Sequence, residues 1–370
     1  MAEPLKNHFG PDVPAAIASM VAQVHPSFPV KPFMRDALAG YEPLSLTERG
    51  RHIARALREH LPHDYPQAVD ILVRSSGQAS GRSVGSGMGS FLFMPHCFYV
   101  ADYGLDHFDE SMAAQYVLTQ RFTCEFSIRP FLINHTQKTL AQLRRWASDP
   151  SDHVRRLASE GTRPRLPWAM RLPAFQADPS PVIELLELLK DDPALYVRRS
   201  VANNLNDIGK DHPDVLASTA KRWLKSASPE RAWVVRHALR WAVKQGEPGA
   251  LKALGYGAKA EVALGDATVS PARARVGGSV KIEFGLTNTT KRAQDVMVDF
   301  QIHYVKANGA TAAKVFKLKA LTLAAGEHVR LQKTVSLREM TTRKHFAGRH
   351  QVDILLNGAP VPLGAFNLSK

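Results

Sequence analysis

The sequence predicts two kinds of structure in one chain, an α-solenoid of helical repeats followed by an all-β sandwich. Apolar residues recur three and four positions apart up to about residue 250, and one segment pattern repeats within that part. After about residue 257 the chain changes to alternating and β-branched runs broken by Gly, Asn and Pro. A chain of 370 residues is long enough for two domains, which we place at 1–256 and 257–370.

Three segments repeat one pattern in the helical part: DPSDHVRRLASEG at 149–161, DPALYVRRSVANNL at 192–205 and SPERAWVVRHALRWA at 228–242. Each places Asp or Ser before Pro, which predicts a capped helix with Pro in its first position. Each then carries Val and Arg on one turn. Arg155, Arg198 and Arg236 are separated by 43 and 38 residues, close to the period of HEAT-type helical pairs. Such pairs stack into a solenoid with a concave face.

The C-terminal part carries five alternating runs at the spacing of an antiparallel, immunoglobulin-like sandwich. It contains no cysteine, so an inter-sheet disulfide is not expected. Residues 257–370 hold 17 Lys and Arg against 8 Asp and Glu, which makes this the more basic domain. It is therefore a candidate second clamp on nucleic acid, and the alternative is a domain that only stabilises the protein or binds a partner.

The charge of the whole chain favours a polyanionic partner. Lys and Arg number 48 against 34 Asp and Glu, and the sequence pI is about 9.8. Nucleic acid is the first candidate, although a basic balance can serve solubility alone. No run of 18 apolar residues and no secretory pattern occur, so we expect a cytoplasmic protein with no membrane partner.

Motifs for other chemistries have no support in the sequence. H-E-x-x-H does not occur, so we expect no metal site. The pattern G-x-S-x-G occurs once, as GRSVG at 81–85, but it lies in a Gly- and Ser-rich stretch and does not follow a predicted strand, so we expect no nucleophile elbow. The Gly- and Ser-rich stretch 75–90 predicts a loop and lacks the phosphate-binding pattern G-x-x-x-x-G-K-[ST]. Cys97 and Cys124 have no metal-like spacing and are expected to be small buried hydrophobes.

Glu160 is the first candidate for chemistry. It ends a predicted helix beside Gly161, where the helix dipole disfavours an anion. It shares the repeat phase of Asn203 and Trp241, which suggests that this position lines the concave face. The alternative is a surface ion pair with Arg156, four residues earlier.

Glu125 is the second candidate. On a helix it would lie on the apolar stripe of Leu118, Phe122 and Ile128, with Pro130 ending the element. A glutamate on such a stripe is seldom buried unless it is paired. Neutralisation by Arg121 or Arg129 is the alternative to a catalytic role, and the sequence leaves both open.

Trp168 closes the segment GTRPRLPW, in which prolines stiffen the backbone around Arg163 and Arg165. Two rigidly presented guanidinium groups suit phosphates, and a tryptophan face attracts a cation or packs on a sugar. A single tryptophan is also a common core residue. Asn204 and Asp207 add polar groups on the next predicted helix, although Asp207 can equally be a solvated surface residue.

The segments TCEFSIRPF, DPSDHVRRLASEGTRPRLPW and DPALYVRRSVANNLNDIGKDHP together resemble the bacterial AlkC family of DNA alkylation repair proteins, relatives of the AlkD group. The resemblance covers about residues 1–256, and the β part resembles the immunoglobulin-like domain of one AlkC subgroup by its arrangement. It implies a DNA glycosylase with HEAT-like repeats. Such an enzyme excises cationic N-alkylated bases, chiefly 3-methyladenine and 3-methylcytosine, from duplex DNA without flipping the base into a pocket.

The resemblance also implies roles for residues. Glu125 and Glu160 would stabilise an oxocarbenium-like sugar and position the attacking water, and Trp168 would pack against the lesion nucleotide. The residues implied in DNA binding are Arg163, Arg165, Arg198, Arg199, Asn203, Asn204, Asp207, Arg236 and Trp241. Hydrolysis needs only water, so no cofactor is implied, and a monomer acting on alkylated duplex DNA is expected. The alternative is a non-catalytic HEAT-repeat module that binds DNA or serves as a protein adaptor.

Overall fold

The computed structural model describes residues 5–77, 88–257, 259–340 and 344–370. Contacts divide the chain into two compact units, Met1–Asp211 and His212–Lys370. Most of the predicted Gly- and Ser-rich loop, at 78–87, lies outside the described residues, whereas its two ends are helical. The domain boundary at 256/257 stays a prediction, since the last four helices cluster with the strands that follow them.

The first unit consists of helices. They are α1 (Asp12–Val24), α2 (Val30–Leu38), α3 (Leu46–His60), α4 (Tyr65–Ser76), α5 (Met94–Tyr103), α6 (Phe108–Leu118), α7 (Ile128–Asn134), α8 (Thr136–Trp146), α9 (Asp152–Gly161), α10 (Pro173–Ala177), α11 (Ser180–Leu189) and α12 (Leu195–Ile208), with short 3-10 turns at Leu5–His8 and Met88–Phe93. Helix α9 packs against α8, α11 and α12. Its fully buried Val154 and Leu157 join Val197 and Val201 of α12 in the core, as the three-and-four spacing requires.

The second unit begins with four helices and continues with eight strands. The helices are α13 (Pro213–Leu224), α14 (Pro229–Ala238), α15 (Arg240–Lys244) and α16 (Pro248–Ala253). The strands are β1 (Val262–Ser270), β2 (Arg273–Arg275), β3 (Ser279–Asn288), β4 (Gln294–Val305), β5 (Thr311–Leu323), β6 (His328–Ser336), β7 (Gly348–Leu356) and β8 (Ala359–Ser369).

The strands form two sheets, one in the order β1-β3-β6 and one in the order β2-β8-β7-β4-β5. All pairs are antiparallel except β2 with β8. Alternate residues such as Ile282 and Phe284 of β3 and Phe300 and Ile302 of β4 fill the core between them. The predicted fold class, helical repeats followed by an immunoglobulin-like sandwich, is confirmed.

The repeated Asp-Pro signature has a different structural role from the predicted one. In the first two repeats the helix begins later, because Asp149 and Asp192 accept hydrogen bonds from the N–H groups two residues on, at 2.8 Å each, and so cap a turn. Only Ser228 caps its helix as predicted, accepting from the N–H of Arg231 at 3.2 Å.

The repeated arginines close the same turns. Nη1 of Arg155 donates to the carbonyls of Asp149 and Pro150, at 2.8 and 2.9 Å. Nη1 of Arg198 donates to the carbonyls of Asp192 and Pro193, at 2.6 and 2.8 Å. Nη1 of Arg198 therefore satisfies carbonyls of its own repeat, a role that the sequence did not predict, and the phosphate contact of Arg198 stays a prediction.

A buried histidine of α5 gives the fold a pH dependence. His96 is fully buried, with Nε2 3.3 Å from Ser75 Oγ, and burial lowers its pKa from 6.5 to about 4. Between these two values the unfolded chain binds a proton that the folded chain does not, so stability falls as the pH drops through this window. We expect this group to lower the free energy of unfolding by about 3 kcal/mol from pH 7 to pH 4.

Urea unfolding of the wild type and of His96→Met over that pH range measures this effect. The free energy of unfolding of the wild type is expected to fall more steeply with decreasing pH than that of H96M. His63→Gln, at an exposed histidine, should follow the wild type. Parallel curves for wild type and H96M would contradict the assignment.

Candidate active site

A cleft of about 510 Å3 in the first unit brings together all three predicted catalytic residues, Glu125, Glu160 and Trp168. One part of its lining is charged and consists of Arg121, Glu125, Arg156, Glu160 and Arg163. Another part is aromatic and consists of Phe91, Phe122, Phe126, Trp168 and Tyr196. A space of this volume with convergent charged groups has the character of a binding or catalytic site.

Glu160 lies at the end of α9 with its side chain held from three directions. The residue is 5% exposed, and its Oε2 accepts from Ser200 Oγ of α12 at 2.6 Å. Its Oε1 accepts from Nη1 of Arg163 at 2.7 Å and lies 3.6 Å from Nη2 of Arg156. The pair with Arg156 that the sequence suggested exists, but it is buried and lines the cleft, so it is not a surface ion pair.

Glu125 reaches the cleft from a turn and not from a helix. Helix α6 ends at Leu118 and α7 begins at Ile128, so the predicted helix through 125 is wrong. Pro130 also starts an element and does not end one. It stands in the first turn of α7, where its missing N–H has no partner to lose.

The partners of Glu125 also differ from the two that the sequence offered. Its Oε2 accepts from Thr123 Oγ1 at 2.6 Å and lies 3.0 Å from Nη1 of Arg156. The guanidinium that neutralises it therefore comes from α9, more than 30 residues away along the chain, and not from Arg121 or Arg129. Only Oε2 of Glu125 takes part in these contacts.

Arg156 lies between the two carboxylates and contacts both of them. The sequence indicated Arg156 only as an ion-pair partner of Glu160. Its guanidinium carbon also lies 4.9 Å from the ring centroid of Tyr196, a cation–π distance. Burial lowers the pKa of Arg156, but Glu160 and Glu125 outweigh it and hold the pKa above its ordinary value. Arg156 therefore stays charged, and it fixes both carboxylates toward the same cleft.

Arg163 connects this cluster to α12. Its Nε and Nη2 bind Oδ2 of Asp207 at 2.8 and 2.7 Å, and Lys210 Nζ lies 2.8 Å from Oδ1 of the same carboxylate. Burial lowers the pKa of Arg163, but Glu160 and Asp207 outweigh it, so the guanidinium is charged. With all three of its nitrogens engaged, Arg163 orients Glu160, and its phosphate contact stays a prediction.

Three further residues predicted to contact DNA have partners within the protein. Asp207 is 1% exposed, and Asn204 is fully buried, donating to the Ser159 carbonyl at 2.7 Å. Arg165 is paired through Nε with Oδ2 of Asp211 at 2.8 Å. These bonds join α12 and the residues that follow it to α9 and to the loop after α9, and the DNA contacts of these three residues stay predictions.

The remaining predicted positions keep their exposure. Arg199 is exposed and Asn203 half-buried on α12, while Arg236 is exposed on α14 and Trp241 half-buried on α15 in the second unit. Their DNA contacts stay predictions.

Trp168 stands at the cleft in a strained backbone conformation. Its φ is +63° and the residue is 71% exposed. A bulky residue in the left-handed region costs conformational energy, which is tolerated mainly at functional sites. A large exposed aromatic ring beside two carboxylates is therefore available to a ligand and is not part of the core.

A basic groove lies within the second unit. Its volume is about 630 Å3, and its cationic lining residues are Arg236, Arg240, Lys244, Lys314 and Lys317. Trp233 and His237 line it as well, with their rings stacked at a centroid distance of 5.0 Å. No carboxylate belongs to this lining, so the groove suits an anion.

Other sequence expectations concern cofactors and cysteines. Cys97 and Cys124 are buried free thiols with their sulfurs 3.6 Å apart, and the contact with Cys124, together with burial, raises the pKa of Cys97. Among the described residues no group of three or more His, Cys, Asp or Glu side chains is arranged to hold a metal ion. No helix in the described ranges is both long and apolar enough to span a membrane.

Helical repeats with a carboxylate-lined cleft, followed by an immunoglobulin-like sandwich, define the class of protein, and comparison with known proteins shows the family. Residues 122–242 match the family described as DNA alkylation repair enzyme, and residues 263–370 match the C-terminal Ig-like domain of the uncharacterised protein YhaZ. The alkylpurine DNA glycosylase AlkC of Pseudomonas fluorescens, solved bound to DNA containing an abasic site analog, is 43% identical with a TM-score of 0.92, covering 100% of both chains.

A second relative, uncharacterized protein YhaZ of Bacillus subtilis (strain 168), is 38% identical over 96% of each chain. The chain therefore belongs to the AlkC family of DNA alkylation repair enzymes.

Proposed function

We propose that this protein is a DNA glycosylase that hydrolyses the N-glycosidic bond of cationic N-alkylated bases in duplex DNA, with 3-methyladenine and 3-methylcytosine as substrates. The observation that carries the proposal is the placement of Glu125 and Glu160 on one cleft beside the exposed ring of Trp168. The identity of the AlkC relative, a glycosylase bound to DNA, supports the reaction class.

The carboxylates suit a reaction that develops positive charge on the sugar. Departure of the base leaves an oxocarbenium-like deoxyribose, which a nearby anion stabilises. An alkyl group that already makes the base cationic improves it as a leaving group, so no general acid has to protonate it. A passive DNA binder would gain nothing from carboxylates placed near phosphates.

The contacts suggest different roles for the two carboxylates. Both oxygens of Glu160 are held, by Ser200 on one side and by Arg163 and Arg156 on the other, so Glu160 acts as a fixed negative charge. Among the residues that the structure describes, the side chain of Glu125 is held through Oε2 and not through Oε1. We assign its Oε1 to orienting the attacking water and accepting its proton.

Trp168 completes the site. Its exposed ring would pack against the lesion nucleotide and attract a cationic base or sugar through its π face. Because the ring is presented on the surface of the cleft, the lesion can be engaged without complete extrusion of the base into an enclosed pocket. The usual base-excision enzymes have to flip the target nucleotide for that purpose.

Release of free bases tests this function. The full chain is incubated with methylated duplex DNA, and the released bases are identified by chromatography and mass spectrometry, with unmethylated duplex as the control. We expect 3-methyladenine and 3-methylcytosine among the products. Tight binding of the DNA without any released base would favour the non-catalytic alternative. Analytical ultracentrifugation of the same sample checks the expected monomer.

The basic groove of the second unit supports the predicted second clamp on DNA. Each phosphate contact that neutralises one charge releases counterions and steepens the fall of affinity with salt. For Lys317→Ala and Arg236→Ala we therefore expect the slope of log K against log salt to decrease by about 1 in each variant.

Fluorescence anisotropy with labelled duplex at several salt concentrations measures the slope. Lys291→Ala, at an exposed lysine that does not line the groove, is the matched control and should keep the wild-type slope. Equal slopes for the wild type and the three variants would show that the groove is not part of the DNA-binding surface.

A further inference from the structure

A buried arginine, Arg129, forms hydrogen bonds with both ends of the loop that carries Trp168. Arg129 of α7 is 0% exposed. Its Nη1 donates to the carbonyls of Gly161 and Arg163, at 3.0 and 2.9 Å, and its Nε donates to the carbonyl of Met170 at 2.7 Å. One planar guanidinium therefore holds the beginning and the end of the loop 161–170.

This arrangement is unfavourable as a device for stability alone. No carboxylate pairs with Arg129 in the described part of the chain, and its buried Nη2 has no hydrogen-bond partner there. Burial, followed by the nearby charge of Arg163, lowers the pKa of Arg129 to about 10, although the charges of Glu125, Asp207 and Glu160 act in the opposite direction. A buried cation without a carboxylate in direct contact is costly, and an apolar residue of similar volume often serves a core better. The hydrogen bonds that Arg129 makes with the described residues all go to the ends of the loop, so loop geometry is the feature that it fixes.

The loop needs such an anchor because Trp168 itself has little support. Its side chain is largely exposed and its φ is positive, so the backbone has to determine where the ring stands. A bond from the N–H of Leu172 to the carbonyl of Pro164, at 3.2 Å, closes the loop. A Cβ at Gly161 would lie 2.5 Å from Cγ2 of Ile128, so the loop begins in direct contact with α7.

We propose that Arg129 is a positioning residue: by holding the carbonyls of Gly161, Arg163 and Met170 it sets Trp168 at the cleft for the lesion nucleotide. The inference rests on the proposed glycosylase function for its kinetic consequence. Arg129 does not line the cleft, so it acts through the loop and not by touching DNA.

The kinetic test uses Arg129→Met and Arg129→Lys in single-turnover base release with saturating enzyme. We expect R129M to reduce the rate by about 100-fold, the loss typical of a displacement of about 1 Å at a catalytic site. R129K should lose less, because an ammonium group keeps the charge but cannot span three carbonyls. It also serves as the second variant if R129M does not fold.

Arg49→Met is the matched control. Arg49 is also buried, and its guanidinium also donates to three carbonyls, those of Lys6, Phe9 and Glu42, but it does not line the cleft. We expect R49M to lower the melting temperature and to keep the wild-type rate per folded molecule. A rate loss in R49M equal to that in R129M would show a general stability effect and overturn the proposal.

A double-mutant cycle with Trp168→Ala distinguishes positioning from general damage. If Arg129 acts through Trp168, R129M/W168A should be no slower than W168A alone within threefold. Multiplied losses in the double variant, or a W168A variant with the wild-type rate, would overturn the proposal.

A readout without catalysis keeps this inference separate from the proposed function. The emission of Trp168 is obtained as the difference between proteins with and without this residue, and we expect its anisotropy to fall in R129M and R129K. An unchanged anisotropy in both overturns the positioning role. A wild type that releases no base would end the proposed function, while the anisotropy would still decide whether Arg129 holds Trp168.

Discussion

Replacing Glu160 with glutamine is expected to reduce the rate of base release by about a thousandfold. A unit charge about 4 Å from a developing cation contributes roughly 4 kcal/mol at an effective dielectric constant near 20, which corresponds to about three orders of magnitude in rate. Glutamine keeps the shape and an oxygen that can accept from Ser200, so the loss is one of charge. DNA affinity should stay equal or increase slightly, because a negative charge leaves a surface that approaches phosphates.

Single-turnover base release and DNA binding, measured on the same preparation, check this expectation. Glu184→Gln is the matched control. It also removes a carboxylate bound to an arginine, Arg144 at 2.7 Å, but it lies on the exposed surface of α11. It should behave as the wild type. Excision at the wild-type rate by the E160Q variant would rule out electrostatic stabilisation by Glu160.

For Glu125 we expect a second large effect, with a different signature. Glu125→Ala should lower the rate by about 100-fold or more, the usual contribution of a general base. If Oε1 orients the water, a small anion such as formate or azide that enters the vacated space should restore part of the rate. Glu160→Ala should be rescued less, because the Glu160 side chain is 6% exposed against 12% for Glu125, so its vacated space is less open to an entering anion.

The rescue experiment compares both alanine variants with increasing formate, with chloride at equal ionic strength as the control. Azide adds a product test, since attack on the sugar would leave a deoxyribosyl azide in place of an abasic site. Equal rescue of both variants, or of neither, would contradict the division of roles and leave the two carboxylates equivalent in function.

The sequence predicted correctly that three residues share one site. It did not predict the secondary structure and the contacts that place them there. Glu125, Glu160 and Trp168 line one cleft, as expected for a shared site. Their catalytic roles stay predictions. The helix predicted through Glu125 was wrong because its apolar neighbours Phe122 and Ile128 are buried from a turn and from the start of α7, and burial at intervals of three or four residues does not require a continuous helix.

The arginines show the limit of local reasoning most clearly. Arg163, Arg165, Arg198 and Arg199 look alike in sequence, and all were expected on phosphates. The first three bind carboxylates or carbonyls within the protein, and only Arg199 is exposed. A guanidinium serves an internal carboxylate as well as it serves a phosphate. Whether an arginine binds an internal carboxylate depends on whether the fold places an aspartate such as Asp207 or Asp211 within hydrogen-bond distance of it.

By itself the sequence determined the two fold types and their order, because the periods of 3.6 and 2 residues are local consequences of how helices and strands bury one face. It also determined the family, through segments that keep their residues together along the chain. Only the tertiary structure decided the electrostatics of the cleft. Arg156 reaches Glu125, and Ser200 reaches Glu160, across 31 and 40 residues of chain. Such pairings depend on how helices pack in space, which no short stretch of sequence specifies.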